Sequence, residues 1–351
     1  MALSLSLFGA LPIAGAATVR PAASPSVTPN LAAKATASSA AESLRVASFN
    51  VRCANCSRVS RINGREKRWE KRRAKVVSQI RAEKVDVIAL QEASPGRLVG
   101  KKISQFEDLT KRLGSSYRLT NSNRYGCAKS TTYKRCTKVN NGASADVRIV
   151  YKTRRLALID QGSKQLDEEK ATSGPRFLAW AIFRDKTDGR KFFFANTHVE
   201  PGQSSATRAV RAKQAAMIVA EIKAKNRGHL PVVMTGDFAA TKLSSANQVY
   251  DALMNSGLVI DPLGNSHLMK SASHAIVDKL INTKYDTLNN FEARPTSREG
   301  SDLGAYIDYI LTSTAIRVLE YKVVLSLKSN GEFAGVIPSD HNMVRATIRL
   351  H

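Results

Sequence analysis

The sequence predicts an α/β fold in which two packed β-sheets are flanked by helices, a four-layer α/β sandwich. Segments with strand character recur along the chain, and the few segments with helical periodicity are separated by long intervals. That pattern is typical of two sheets packed face to face with the helices outside them. With 351 residues, 43% of them hydrophobic, the chain is long enough to bury such a core.

The strand predictions rest on alternating side chains and on short apolar runs. Residues 45–51 alternate as a strand does, and residues 85–90 form an apolar run that fits a buried strand. The consecutive phenylalanines Phe192-Phe193-Phe194 are expected in the core. The other predicted strands are residues 146–151, 178–184, 191–197, 232–234, 306–311 and 343–349.

Three helices are predicted from the spacing of apolar residues. Within residues 67–83, the spacing of Trp69, Val76, Val77 and Ile80 places these four side chains on one helix face. The other two predicted helices cover residues 205–226 and 244–256.

The N-terminal composition predicts export. Residues 1–17 are apolar and uncharged and end in small residues, as a secretory signal peptide does, although no basic residue precedes the apolar run. Residues 18–43 are rich in Ala, Ser, Pro and Thr and are predicted to be a linker. A single folded domain is predicted over residues 44–351. We therefore expect a secreted monomer, and no segment long enough for stable membrane insertion.

The four cysteines are predicted to form disulfides. Cys53 and Cys56 have C-x-x-C spacing, but eight residues separate Cys127 from Cys136, a poor match to a zinc site. An even number of cysteines in an exported protein favours two disulfides. Three pairings are compatible with the sequence, and the local pairs Cys53–Cys56 and Cys127–Cys136 are preferred.

The charge balance predicts an anionic polymer as partner. The chain has 54 Lys and Arg against 29 Asp and Glu, a net charge of +25 and a pI near 10.1. Such an excess attracts nucleic acid, anionic lipid or a charged cell wall, and exceeds what solubility requires. Residues 65–73 form a dense basic run and residues 129–135 a basic loop bounded by Cys127 and Cys136, and both are candidates for substrate contact; a solvated helix face is the alternative for residues 65–73.

Polar side chains at the ends of the predicted strands form the candidate site. Apolar strands that deliver carboxylates, amides and imidazoles from one end make a polar cup over a packed core. These residues are Asn50, Gln91, Glu92, His198, Asp237, Asp308, Asp340 and His341.

These residue types suit the hydrolysis of a phosphodiester. The reaction needs a base for the attacking water and a cation for the charge that develops on the phosphate oxygens. The side-chain oxygens of Asn50, Glu92 and Asp340 are hard ligands suited to Mg2+. A histidine paired with a carboxylate can act as the base, and Asp308 and His341 are a candidate pair.

In their order along the chain these motifs resemble the endonuclease/exonuclease/phosphatase superfamily, which includes deoxyribonuclease I, abasic-site endonucleases, bacterial sphingomyelinases and inositol polyphosphate phosphatases. The resemblance covers residues 45–350 and implies a deoxyribonuclease I-like fold while leaving the substrate open. The motifs are Ser48-Phe49-Asn50, Leu90-Gln91-Glu92, Asn196-Thr197-His198, Gly236-Asp237-Phe238, Tyr306-Ile307-Asp308-Tyr309 and Ser339-Asp340-His341.

The resemblance also implies a role for each matching residue. Asn50 and Glu92 would bind the metal with the help of Asp340, and His341 would be the general base or acid, oriented by Asp308.

On the substrate side, the resemblance implies that His198 hydrogen-bonds the scissile phosphate and that Asp237 acts near the attacking water or a second metal. Residues 175–179 resemble the segment that carries a phosphate-contacting arginine in deoxyribonuclease-type members, which implies a substrate-binding role for Arg176.

One position departs from the superfamily pattern. Ala239 stands where the superfamily usually has an asparagine that donates hydrogen bonds to the phosphate. Losing one such donor typically costs about 100- to 1000-fold in rate. Three outcomes are open: weakened catalysis, substitution by a neighbour such as Asn247, or conversion into a binding protein.

The sequence therefore predicts a secreted phosphodiesterase that uses Mg2+, with Mn2+ or Ca2+ as alternatives, and hydrolyses DNA or, alternatively, RNA. Two other functions stay open. A sphingomyelinase-like phospholipid phosphodiesterase would share the site, but it needs exposed apolar loops, whereas the loops here are basic and polar. A catalytically weakened polyanion-binding protein would explain Ala239.

Overall fold

Two mixed β-sheets pack face to face in the computed structural model, which describes residues 42–124, 144–166, 175–268, 276–298 and 301–351. The seven-stranded sheet has the order β3-β4-β2-β1-β12-β11-β9, and the five-stranded sheet has the order β10-β8-β7-β6-β5. The strands are Leu44–Asn50 (β1), Val87–Gln91 (β2), Tyr117–Leu119 (β3), Arg148–Lys152 (β4), Leu156–Gln165 (β5), Phe177–Asp185 (β6), Lys191–His198 (β7), Val232–Asp237 (β8), Val277–Ile281 (β9), Asp308–Thr312 (β10), Ile316–Val324 (β11) and Met343–Leu350 (β12).

Helices cover the outer face of each sheet, so the predicted four-layer sandwich is confirmed. One apolar cluster joins the seven-stranded sheet to α2 and α3, and a larger cluster fills the space between the sheets and continues under α4 and α5. Phe192, Phe193 and Phe194 are fully buried in the larger cluster, as expected. The helices are Cys56–Val59 (α1), Trp69–Ala82 (α2), Gln105–Leu113 (α3), Ser205–Lys225 (α4) and Gln248–Asn255 (α5).

Helix α2 has the predicted apolar face, on which Trp69, Val76, Val77 and Ile80 are buried. The indole Nε1–H of Trp69 donates to a carboxylate oxygen of Asp108 on α3 at 2.9 Å, which fixes the two helices together. The helix predicted over residues 244–256 begins later than expected, at Gln248. The chain turns before that residue, and the Asn247 side chain caps the helix by accepting from the amide of Tyr250 at 3.1 Å.

Six of the described elements were not predicted: β3, β5, β9, β11, α1 and α3. Strand β5 lies at the edge of its sheet and alternates irregularly between buried and exposed residues, so its sequence has no apolar run. Helix α3 has only nine residues, but it begins with a capping box in which Ser104 and Glu107 exchange side-chain to backbone hydrogen bonds.

The first predicted disulfide, Cys53–Cys56, is present in the loop after β1. The Cys127–Cys136 pair, the basic run at residues 129–135, the predicted signal peptide and all but the last two residues of the predicted linker lie outside the described residues. None of the helices in the described ranges combines the length and apolar character needed to cross a membrane.

A buried guanidinium ties α2 to two loops at one end of the sandwich. Arg72 belongs to the basic run at residues 65–73, yet it is fully buried and its guanidinium lies between the rings of Trp69 and Phe291. Burial lowers its pKa to about 10, so the group remains charged at neutral pH. Its N–H groups donate, at distances from 2.7 to 3.0 Å, to the carbonyl oxygens of Val51, Arg52, Lys67 and Pro338.

We predict that Arg72→Met lowers the free energy of unfolding by about 2–4 kcal/mol, because it leaves several buried carbonyl oxygens without donors. Urea denaturation of both proteins measures the difference. Arg68→Met, at an exposed position of the same basic run, is the control and should change stability by no more than about 0.5 kcal/mol. Equal effects of the two substitutions would contradict the proposed role of Arg72.

Candidate active site

The predicted site residues meet at one end of the sandwich. Strands β1, β2, β7 and β8 end there, and β10 and β12 begin there, because the latter two run antiparallel to their neighbours. In the sheet register Asp237 is paired with both His198 and Asp308. We refer to the resulting group as the acidic cup: Asn50, Glu92, His198, Asp237, Asp308, Asp340 and His341.

Strand β8 can pass close to β7 because it contains Gly236. A Cβ atom at this position would lie 2.4 Å from the carbonyl oxygen of Thr197, which is too close for any other residue. The glycine therefore allows Asp237 to sit beside the end of β7, where His198 lies.

The carboxylate of Asp237 is the centre of the cup. Its Oδ2 accepts from the Asn50 amide at 2.9 Å and lies 3.6 Å from His198 Nε2 and 3.7 Å from His341 Nε2. Its Oδ1 accepts the backbone N–H of Ala239 at 2.9 Å. Two imidazoles therefore converge on one carboxylate oxygen.

His341 and Asp308 form the predicted pair, with 2.9 Å between Nδ1 of His341 and Oδ2 of Asp308. Burial alone lowers the pKa of His341, but the carboxylates of Asp308 and Asp237 raise it well above its usual value. The two carboxylates therefore favour the protonated, positively charged imidazole, whose Nε2 lies 3.7 Å from Asp237 Oδ2.

The pKa of His198 is shifted in the opposite direction from that of His341. Burial lowers its pKa to about 3; Arg176 and His341 add to the decrease, whereas Asp237 opposes it. Its Nδ1 is buried and has no hydrogen-bond partner among the described residues. His198 is therefore a neutral imidazole that can accept or donate one hydrogen bond at a ligand.

Glu92 and Asn50 form the second arm of the cup. The Asn50 amide donates to Glu92 Oε1 at 3.1 Å, and the backbone N–H of Cys53 donates to Glu92 Oε2 at 3.0 Å. The Asn50 Oδ1 accepts the backbone N–H of Arg52 at 3.0 Å. Asn50 thus orients the Glu92 and Asp237 carboxylates by bridging them.

Asp340 completes this arm. Its Oδ1 accepts the Ser339 hydroxyl at 3.1 Å, and that hydroxyl also bonds the carbonyl oxygen of Asn50 at 2.7 Å. Burial raises the pKa of Asp340; His341 and Arg52 oppose the rise and Glu92 adds to it. A buried carboxylate in this position gains from a neighbouring cation.

The donors of the cup fit a hard divalent cation. Ligand atoms of Asp237, Asp308 and His341 lie within 4.8 Å of one another, and Asp308 Oδ1 has no partner among the described residues. Glu92 and Asp340 bring two further carboxylates together, each with an oxygen within 4.0 Å of the Arg52 guanidinium. Carboxylate oxygens at this density are the ligands that Mg2+, Mn2+ and Ca2+ prefer. Cys53, Cys56 and Glu92 are equally close, but the two sulfurs form a disulfide and so provide no thiolate.

Sequence reasoning missed Arg52, whose guanidinium lies against the Glu92 arm. Its Nε is 3.2 Å from Oε1 of the fully buried Glu66 and 3.8 Å from Oδ2 of Asp340. A second nitrogen is 4.0 Å from Glu92 Oε2. The sequence feature that could have identified Arg52 is its position two residues after Asn50, in the loop that follows the first strand.

Sequence reasoning also missed Asp146. It precedes β4, which runs antiparallel to β2, so Asp146 lies beside the loop that carries Glu92, and its carbonyl accepts the amide of Ala93 at 3.0 Å. Desolvation by the surrounding protein raises the pKa of its carboxyl group, and Arg176 opposes the rise. The sequence feature that could have identified Asp146 is its place as a polar residue at the start of a predicted strand.

Arg176 lies at the border of the cup. Its side chain is almost buried, with Nε 3.9 Å from Oε2 of the buried Glu200. Its charge acts on His198 and Asp146, so the structure brings this predicted substrate-binding residue to the other site residues.

The loop at Ala239 has no compensating amide from Asn247. The Asn247 Nδ2 donates to the carbonyl oxygens of Ala240 and Thr241 and to the Tyr309 hydroxyl, and the side chain is buried. Asn247 therefore holds the loop together, and the expectation that it replaces the missing asparagine is not supported.

Three residues of the site have left-handed backbone conformations. The φ angles are 50° at Arg52, 54° at Glu92 and 50° at Ala239. Such conformations cost a non-glycine residue on the order of 1 kcal/mol and tend to cluster at functional sites. Asparagine tolerates this conformation better than alanine, so Ala239 lacks a local advantage as well as a donor.

The sequence pattern of the Endonuclease/Exonuclease/phosphatase family matches residues 47–341. No curated protein matches the chain. Among solved structures, an endonuclease/exonuclease/phosphatase family protein from Bacteroides thetaiotaomicron is 24% identical, with a TM-score of 0.64 over 89% of this chain and 99% of that chain.

Two further solved structures have the same fold. A mannosyl-6-phosphatase from Bacteroides thetaiotaomicron is 22% identical, with a TM-score of 0.60 over 87% of this chain and 99% of that chain. TDP2 from D. rerio, solved with a single-stranded DNA product, is 16% identical, with a TM-score of 0.53 over 88% of this chain and 99% of that chain.

We predict that Mg2+ stabilises the protein through the acidic cup and that Glu92→Gln removes most of this effect. A ligand at 100-fold its Kd stabilises a folded protein by about 2.7 kcal/mol. Thermal unfolding with and without Mg2+ measures the shift in Tm for each protein. Glu221→Gln on α4 removes a carboxylate outside the cup and should retain the full shift. An unchanged shift in Glu92→Gln would exclude Glu92 as a ligand.

Proposed function

The chain belongs to the endonuclease/exonuclease/phosphatase family, and from that premise we propose that it is a secreted, divalent-metal-dependent nuclease. Its substrate in this proposal is DNA, with RNA as the alternative. The observation that carries the proposal is the convergence of a charged and a neutral imidazole on the Asp237 carboxylate, beside the Glu92 arm of the cup.

The cup would hold the cation through the oxygens of Glu92 and Asp340, with Asn50 orienting Glu92. When bound, the cation supplies Lewis acidity that stabilises charge on the phosphate oxygens. It would also relieve the repulsion among the buried carboxylates of the cup.

The chain's own residues then account for the proton transfers. Asp237 accepts a proton from water as the water oxygen attacks phosphorus. His341 donates its Nε2 proton to the leaving oxygen as the phosphorus–oxygen bond breaks, and Asp308 holds the ring in place from Nδ1. Arg176 and the neutral His198 bind the phosphate oxygens.

Charge and cysteine chemistry support the substrate and the location. A net charge of +25 favours a polyanion over a small uncharged ester, and binding of a polyanion would depend strongly on salt. Disulfides such as Cys53–Cys56 persist in oxidising compartments, which agrees with the signal-like residues 1–17.

We predict that the purified protein nicks supercoiled plasmid DNA with Mg2+ or Mn2+ and that EDTA abolishes nicking. His341→Ala and Glu92→Ala should each lower the rate by about 100-fold or more, because they remove the proton donor and a cation ligand. Gel analysis of plasmid forms over time gives the rates.

Two further measurements, made beside the nicking assay, could contradict the proposal that the protein is a nuclease. Release of phosphocholine from sphingomyelin vesicles without plasmid nicking would make the protein a phospholipid phosphodiesterase. Tight DNA binding without turnover under every divalent metal would make it a binding protein.

We predict that Ala239→Asn raises the nicking rate by about 10-fold or more, because it restores a donor to the phosphate and suits the left-handed backbone. The control is Ala240→Asn at the next position, whose side chain is nearly buried. An active wild-type enzyme with no rate gain in Ala239→Asn would show that the missing donor does not limit catalysis.

A further inference from the structure

A cavity of about 390 Å3 lies next to the acidic cup, between the segment that precedes α2 and the loop that follows β11. It is open to solvent and combines basic side chains with an apolar floor. Its lining residues include Arg65, Lys67, Lys328, Phe333, Val336 and Ile337.

Short chain segments connect two sides of the cavity to the cup. Glu66, between Arg65 and Lys67, turns inward and binds Arg52, which in turn contacts Asp340. On the other wall the chain runs from Ile337 directly into Asp340 and His341, and Arg72 holds this segment through the Pro338 carbonyl. A chain-like substrate in the cup would therefore pass the cavity with a neighbouring unit.

The cations of the cavity are available to an anionic ligand. Among the described residues, Lys67 bonds only to the carbonyl oxygen of Gly64, at 3.3 Å. Arg65 pairs with Glu292 at 3.6 Å, and Lys328 pairs with Glu332, which also lines the cavity, at 3.1 Å. Both pairs lie at the surface, where ion pairs are weak, so a phosphate can compete with the two carboxylates for these cations.

The floor of the cavity is apolar and preformed. Phe333 and Ile337 pack on the buried Phe291 in a small separate cluster, whereas Val336 is 37% exposed. The backbone N–H of Phe333 bonds the carbonyl of Ala293 at 2.9 Å, and other backbone bonds close the loop. An apolar floor below basic side chains matches a nucleotide, which has an apolar base face and a phosphate.

We propose that this cavity is a subsite for a nucleotide of the substrate strand next to the scissile phosphate. This inference rests on the proposed nuclease function and names where its polynucleotide is held. The backbone phosphate lies at Lys67, Arg65 and Lys328, and the base covers Val336. The basic run at residues 65–73 thus contributes Arg65 and Lys67 to the substrate and Arg72 to the fold.

Fluorescence anisotropy with a labelled single-stranded oligonucleotide in EDTA tests the subsite in the absence of turnover. The double variant Lys67→Glu with Lys328→Glu should raise the Kd by about 10-fold or more and reduce the salt dependence of binding by about one to two phosphate contacts. The matched control, Lys223→Glu with Lys225→Glu, makes the same charge change in the last turn of α4 and should raise the Kd by less than about 3-fold.

The apolar floor is tested separately with Val336→Ser, which leaves the charge unchanged. Its affinity for the oligonucleotide should fall about 3-fold or more, because a polar hydroxyl replaces the apolar surface that covers the base. Its affinity for polyphosphate, which has no base, should fall less. Equal losses for both ligands would overturn the placement of a base over Val336.

The remaining outcomes separate the two proposals. We call the Lys67→Glu, Lys328→Glu protein the cavity variant. If the wild type nicks plasmid DNA and the cavity variant binds the oligonucleotide as tightly as its matched control does, the subsite is overturned and the nuclease proposal is retained. Loss of oligonucleotide binding in the cavity variant alone, with no nicking by the wild type, would retain the subsite and overturn the nuclease. Loss of binding to phosphatidylglycerol vesicles in the cavity variant, with unchanged oligonucleotide binding, would assign the cavity to lipid and overturn the subsite.

Discussion

The buried guanidinium of Arg72 is the interaction on which the geometry of the site depends. The cup is assembled from strand ends and loops, whose carbonyl oxygens would otherwise lack donors in a dry environment. Arg72 satisfies carbonyls from the loop after Asn50 and from the segment before Asp340, and thus fixes the distance between the two halves of the Glu92 arm. An apolar side chain of similar volume has no donor for any of these carbonyls.

Backbone strain and repulsion between carboxylates in the cup lower the stability of the folded protein, and packing elsewhere in the sandwich must offset this loss. Glu92 has a left-handed backbone conformation, Asp237 and Asp308 are nearly buried with ligand atoms within 4.8 Å of each other, and Asp340 is nearly buried next to His341 in the chain. Like charges in a low-dielectric environment repel strongly. The positive charge of His341 reduces this repulsion, and the Asn50 amide reduces it further by donating hydrogen bonds to Glu92 and Asp237. A bound cation would neutralise the remaining negative charge.

The sequence predicted most central strands and missed the edge strands β3, β5 and β9, and also β11, which lies inside the seven-stranded sheet but alternates irregularly. Central strands such as β7 are buried on both faces and so contain apolar runs, whereas the edge strand β5 is held by backbone pairing that leaves no such pattern. The site residues were found because strand ends bring them together. Asp146 and Arg52 were missed because their proximity to Glu92 depends on the antiparallel pairing of β4 and on a loop conformation, neither of which has a motif.

The chain as a whole is basic and the cup is acidic, so an anionic substrate is attracted by the protein and repelled by the carboxylates at its site. A phosphate approaching Asp237, Asp308 and Asp340 meets a concentration of negative charge, and His198 is neutral and cannot offset it. Attraction must therefore come from other positive charges: His341 and a cation within the cup, Arg176 at its border, and the basic side chains beyond it. A phosphomonoester small enough to fit in the cup would reach only those within the cup and at its border. The Lys and Arg side chains beyond the cup can contact a substrate directly only if that substrate extends out of the cup, and this supports the polymer of the proposed function over a small ester.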